Sequence, residues 1–428
     1  MSVKILKFDR GITHIYLAAV AIVCIASAWF FVKWNFANVV ASALDTERPE
    51  SKIVVESLVE MAPDDPQTHF IAARLFEKTF DDADLAKSLT EYETATALSP
   101  NNYLLWLELG KARDSGGDRP SALAAFHRAL ELAPNYSAVQ WAYGNSLIRQ
   151  GNSDQGFALI AKAAASDPQY SNPAVAIALQ LFDGNVGQVR SVLGDSAEAN
   201  AALASVLAAG NRFDDAFDAW SQLAADDKRT KFKQIGGKLV EQFVVAKKFQ
   251  LAARVTGDLL SDDSEKTVLG QISNGGFENG VKLRNAGIFE WQIAEGAEPQ
   301  IGLSEGQPHS GKYSLLMAFN TFNTVAFRPV SQTVPVVPGA SYEFEVFYKS
   351  DLKTTAAFKW EIADASTGTA IMTTAPMMPV VDWVPMKAKF TVPAVTDAII
   401  IRFVREGCAG TCSVNGKLSF DDLSISRL

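Results

Sequence analysis

Four histidines, the neighbouring cysteines Cys408 and Cys412 and the closing pair Asp421-Asp422 are the residues here whose types invite chemistry, while the third cysteine, Cys24, lies in an apolar run. His14 lies in an apolar run, His69 and His127 in helical stretches, and His309 in the turn His309-Ser310-Gly311-Lys312. None neighbours a nucleophile or a ligand cluster, and no GxSxG, HExxH, P-loop or Rossmann pattern stands in a supporting context. Asp421 and Asp422 could pass for a glycosidase dyad, which needs two carboxyls about 5–9.5 Å apart across a cleft. Consecutive residues on a strand point to opposite faces, so this pair is not one. Cys408 and Cys412 form a C-x3-C pair without the second pair that a metal cage requires. In an oxidising compartment they would close a local disulfide; the alternative is two thiols in a surface loop. The chain therefore reads as a binding and assembly protein without catalysis and without an organic cofactor.

The compartment is set by the N-terminus. Residues 12–32 are almost uniformly apolar, long enough to span a bilayer as a helix. Trp29 and Trp34 mark an interfacial belt, and Lys4, Lys7 and Arg10 before the run stay cytoplasmic by the positive-inside rule. The expected layout is a cytoplasmic stretch at 1–11, an anchor at 12–34 and everything after Lys33 exported. In a bacterium that means a single-pass inner-membrane protein with a periplasmic bulk. A cleaved signal peptide is the competing reading, with Ala26-Ser27-Ala28 and Ala41-Ser42-Ala43 as small-x-small sites. At 428 residues the chain holds two or three domains, and its net charge of −9 argues against nucleic acid as a partner.

The middle repeats. Pro100, Pro134 and Pro168 recur every 34 residues. Between them Trp106, Leu109, Gly110, Ala122, Phe126, Ala129 and Pro134 fit two close-packed helices and a stop. Tyr143-Gly144, Gly156 and Ala163 continue the pattern, and Ala73, Tyr92 and Ala95 precede it. Weaker copies follow around Gly210 to Trp220 and Lys233 to Leu260. Residues 50–260 thus resemble the tetratricopeptide repeat family, with an array over 66–262 after a helical linker or partial repeat at 35–65. The resemblance implies an α-solenoid whose groove takes a protein partner. On the family's pattern the groove holds Leu107, Lys111, Asp114, Trp141, Asn145 and Arg149.

After a linker at 263–272 the periodicity changes to short alternating strands and glycine turns. Tyr342, Phe344, Val346 and Tyr348 share one face of a strand, with charges mostly on the other. Further strands are read at 313–319, 357–362, 386–392, 398–404 and 418–424. The order of Asn274-Gly275-Gly276-Phe277-Glu278, Trp291, His309 to Leu315, Val337-Pro338-Gly339, Trp383 and Leu418 to Ile425 is similar to jelly-roll carbohydrate-binding modules, over 273–428. The fold class is therefore a transmembrane helix, an α-solenoid and an antiparallel β-sandwich. The resemblance implies a structural calcium on Glu278, the Lys312 carbonyl and Asp421 or Asp422. It also implies a glycan surface, for which Phe319, Phe322, Phe327, Tyr348, Trp360 and Arg402 are candidates. Trp291 and Trp383 fall at positions that usually pack in that family's core. The expected role is in making, exporting or organising exopolysaccharide or another envelope glycan. A scaffold whose sandwich binds no sugar, a module for protein or lipid headgroups, and a glycoside hydrolase are the alternatives.

Overall fold

The computed structural model describes residues 10–45, 48, 51–79, 81–262, 266–324, 327–407 and 412–428. The Cys408–Cys412 pairing, Lys4, Lys7 and the side chain of Phe322 lie outside what is described. Helices come first: α1 (Arg10–Ala43), α2 (Ser51–Met61), α3 (Pro66–Glu77), α4 (Asp82–Leu98), α5 (Tyr103–Ser115), α6 (Arg119–Leu132), α7 (Ser137–Arg149), α8 (Ser153–Ser166), α9 (Ser171–Leu181) and α10 (Val186–Leu193). Then come α11 (Ala197–Ala209), α12 (Phe213–Ser221), α13 (Ala225–Arg229), α14 (Lys233–Val245) and α15 (Phe249–Leu259). The strands are β1 (Gln292–Ile293), β2 (Gln300–Ser304), β3 (Ser314–Thr324), β4 (Val330–Pro335), β5 (Ser341–Ser350), β6 (Lys353–Thr354), β7 (Ala357–Asp364), β8 (Ala370–Thr373), β9 (Val380–Thr391), β10 (Ala398–Glu406) and β11 (Cys412–Arg427). The chain forms two compact units, divided between Asp195 and Ser196.

In the first unit α1 is apolar all round and exposed from Ile15 to Val32. Such a helix needs either a protein core or lipid. It does not stop at residue 34 but runs unbroken to Ala43. Ala37 and Ala41 are fully buried against Val55, Leu58 and Ala62. The amide of Asn38 donates to both carboxylate oxygens of Asp65, at 3.1 and 3.0 Å. The stretch expected as a linker is therefore the last two turns of α1 plus α2, packed as the first pair of the array.

The repeats close as their residues require. Asp65, Asp81, Asn102 and Asp118 cap α3 to α6 by accepting from first-turn amides. Pro100 and Pro134 each follow the end of a helix. Glycine is required where helices touch. A Cβ on Gly110 would sit 2.7 Å from the Phe126 ring, and one on Gly144 would sit 2.8 Å from the Gly156 carbonyl.

In the second unit α11 to α15 belong with the sandwich. One sheet runs β1-β4-β10-β7-β8 and the other β2-β3-β11-β5-β9, with β6 beside β11, and all pairs are antiparallel. Between them Trp360 packs 5.3 Å from Phe403 and 5.1 Å from Phe420. Phe249 of α15 is buried with Ala365 and Ala398, while Ile400 and Ile288 pack at its edge. The Gln250 side chain donates to the Val336 carbonyl at 2.9 Å, and its backbone N–H to Asp397 at 3.3 Å. α15 has no side-chain cap of its own, so a sandwich carboxylate caps it. Burial pushes Asp397 above the usual carboxylate range, against the pull of the amides of Gln250 and Phe249.

Candidate binding surfaces

The sandwich moves most of the expected sugar-stacking rings inside. Trp360 is fully buried, and Phe319 and Tyr348 are each 6% exposed. Phe327 is half-buried against Phe358 and Phe403. These rings fill the core because a sandwich of this size needs bulk between its sheets. Only Arg402 of the described candidates projects outward.

Arg402 sits in a row that the sheet register builds. Across the five-stranded sheet Gln292 pairs with Ser331, Ser331 with Arg402, Arg402 with Glu361 and Glu361 with Thr373. Directly paired residues share a face. Their neighbours Ile293, Val330, Ile401, Phe403, Trp360 and Ile362 are buried, so this row faces outward. The Arg402 guanidinium is paired with the Glu361 carboxylate, which fixes both groups in plane. One end of the same face is closed: Thr333 and Ala363, beside Ile400, are buried near the Phe249 contact. What stays open is a line of amide, hydroxyl, guanidinium and carboxylate groups at strand spacing, about 4.8 Å apart. Such groups suit vicinal hydroxyls.

The opposite sheet carries an aromatic cluster that sequence reading missed. The His309 ring stacks on Phe347 at 3.7 Å and meets Trp383 edge-on at 6.0 Å. Lys349 lies 4.7 Å over Trp383, and both donate to the Gln307 carbonyl, at 2.8 and 3.0 Å. Phe347 is out of phase with the buried Tyr342, Phe344 and Tyr348, a signal the alternation held. Trp383 is half-buried on this outer face and not in the core. These contacts pin the 307–310 turn.

Glu278, Asp421 and Asp422 do converge on that turn. Glu278 accepts from the amides of Lys312 at 2.8 Å and Tyr313 at 3.0 Å. Asp421 is fully buried and accepts from the amides of His309, Ser310 and Asp422. Asp422 takes the His309 Nδ1 at 2.6 Å and the Ser310 hydroxyl at 2.8 Å. Burial, with the charge of Asp422, pushes Asp421 above its usual range despite those amides. N–H donors and a cation compete for the same lone pairs. Among the described residues no group of three or more His, Cys, Asp or Glu is placed to hold a metal. The arrangement clamps the turn through its amide donors, and Lys312 enters it by its N–H.

In the array, Leu107 is buried and is not a groove contact. Asp114 of α5 pairs with Arg149 of α7 and accepts from Ser146 at 3.3 Å. Lys111 pairs with Glu108 at 2.8 Å, and Asn145 donates to the Trp141 carbonyl. Trp141 stacks on Tyr170 at 4.9 Å. Asp114 and Arg149 therefore tie adjacent repeats together, and Lys111, Asn145 and Trp141 line their partly exposed side.

Residues 269–406 match a family model described as Carbohydrate binding domain. A curated relative, the peroxisomal targeting signal receptor of Saccharomyces cerevisiae, is 35% identical over 87 residues, which cover 20% of this chain and 14% of that protein. The chain thus spans about a seventh of that relative's length. A solved structure described as "CBM4 structure and function" covers 37% of this chain and 99% of its own at 16% identity and TM-score 0.27. A crystal structure of MamA covers 32% and 80% at 14% identity and TM-score 0.29. TmCBM61 in complex with β-1,4-galactotriose covers 36% and 96% at 18% identity and TM-score 0.26. The C-terminal sandwich matches a carbohydrate-binding domain model, and it follows an array of antiparallel helical hairpins.

Proposed function

We propose that this chain is a single-pass envelope protein that binds a polysaccharide outside the cytoplasm and gathers protein partners beside it. The carrying observation is the outward row Gln292–Ser331–Arg402–Glu361–Thr373 within the carbohydrate-binding domain. The helix His14–Ala43 supports anchoring, because it is long, apolar and unburied across its apolar window. Partners dock on the array, and the role is in making or exporting exopolysaccharide or another envelope glycan. The protein acts by binding and not by hydrolysis.

The test is affinity electrophoresis of the full chain in gels containing soluble β-glucan, xylan or the producing cell's own exopolysaccharide. Retardation by at least one polymer is expected, with Arg402→Ala weakening it about tenfold and Trp383→Ala sparing it. No retardation by any polymer supports the pure scaffold, and reducing sugar released from a retarding polymer supports the hydrolase.

A further inference from the structure

The array has two rims, and they differ. Antiparallel hairpins put the turns after α2, α4, α6 and α8 at one end, and those after α1, α3, α5 and α7 at the other. Side-chain contacts agree with this ordering: Lys52 at the start of α2 meets Asp84 at the start of α4, whereas His69 at the start of α3 meets Glu91 just past the middle of α4. Asn38 of α1 reaches Asp65 in the turn after α2. Asn38 is five residues short of the end of α1, on the side where that helix leaves the array toward its apolar span. The rim formed by the turns after the even-numbered helices is thus the rim beside the emerging span.

That rim is aromatic. Tyr103 and Tyr136 lie 5.0 Å apart, and Trp141 stacks on Tyr170. Tyr136 is 48% exposed, and Leu98 and Leu104, which flank the turn 99–102, are each 37% exposed. The rim's four turns, 62–65, 99–102, 133–136 and 167–170, contain no lysine or arginine, and their charged residues are Asp64, Asp65 and Asp167. The other rim's turns carry Asp45, Arg48, Lys78, Asp81, Gly117, Asp118, Gly151 and Asn152 and hold no tyrosine or tryptophan, and their one aromatic residue, Phe80, lies outside the described residues. Tyrosine and tryptophan on one edge only, level with the exit of an apolar helix, match the chemistry of a lipid headgroup layer.

We infer that the array lies with this rim on the bilayer that holds α1, and that Tyr103, Tyr136, Tyr170 and Trp141 sit among the headgroups. The inference rests on the anchoring proposed above. The continuous α1 leaves no flexible stalk to lift the array away. Without cationic residues in the four turns, contact comes from amphipathic rings and not from attraction to anionic lipid.

The test uses the full chain in phosphatidylcholine nanodiscs containing a headgroup spin-labelled lipid, with Cys24, Cys408 and Cys412 replaced by serine. A fluorophore is placed through Asn135→Cys on the aromatic rim or Asn152→Cys on the other. Quenching at 135 should exceed that at 152 at least twofold, and replacing a fifth of the lipid with phosphatidylserine should not raise it. Joint replacement of Tyr103, Tyr136 and Tyr170 by serine should reduce the quenching at 135. Equal quenching at both positions, in protein that co-floats with the lipid, overturns the rim contact alone and leaves the aromatic row to a protein partner. A chain that does not co-float overturns this inference together with the anchoring.

Discussion

His69 shows how one side chain acquires a pH dependence. It is 5% exposed, with Nδ1 against Glu91 and Nε2 at 2.8 Å from the Pro63 carbonyl. Burial works against its charge, but the bonds to Glu91 and Pro63 outweigh this and raise its pKa above 6.5. A raised folded pKa stabilises fully below the unfolded value, and that stability is lost as pH rises through the folded value. Unfolding of the full chain in detergent should therefore show the first unit weakening as pH rises above 6.5, and His69→Gln should flatten that slope. An unchanged slope would remove His69 from the account. In the sandwich, Trp360→Ala should cost about 3–5 kcal/mol by denaturant unfolding. Arg402→Ala should cost under about 1 kcal/mol, as expected for a partly exposed pair. Chelation should leave the sandwich's melting temperature within about 1 °C, and a fall of several degrees would restore the calcium. The alternation in Tyr342–Lys349 already placed Tyr348 with Phe344, so its burial was legible. The outward polar row was not, because it exists only once four pairs of strand neighbours are in register.

Between elements, spacing was the readable signal. The 34-residue prolines and Gly110 located the hairpins because both report where a helix must stop or another must approach. Gly144→Val should lower stability by about 1–3 kcal/mol, since α7 and α8 are in backbone contact there. The continuation of α1 into the array was hidden: apolar content falls after Trp34, while nothing breaks the helix before Asp45. The docking of α15 was hidden too, because Asp397 and Gln250 lie 147 residues apart. Phe249→Ala should destabilise the sandwich and α15 together, by about 3 kcal/mol in a single transition. Two separate transitions in that variant and a single one in the parent would show that Phe249 couples them. Two transitions in the parent as well would contradict the shared unit.

For the molecule as a whole, compartment governs every functional reading. A sandwich that matches a carbohydrate-binding model, a helical array and an exposed apolar helix occur in one chain, and the function proposed for them has the sandwich meet glycan across the membrane from the cytoplasm. The array and the sandwich were foreseeable from composition shifts near residue 269 and from motif order. The polymer was not, because the motifs that mark the fold mostly build its core. The most direct test fuses alkaline phosphatase, or separately a fluorescent protein that matures only in the cytoplasm, to Leu428 in a bacterial host. The account predicts an active phosphatase and a dark fluorescent protein, with the chain retained in the membrane after alkaline extraction. A bright fluorescent fusion with inactive phosphatase would contradict it.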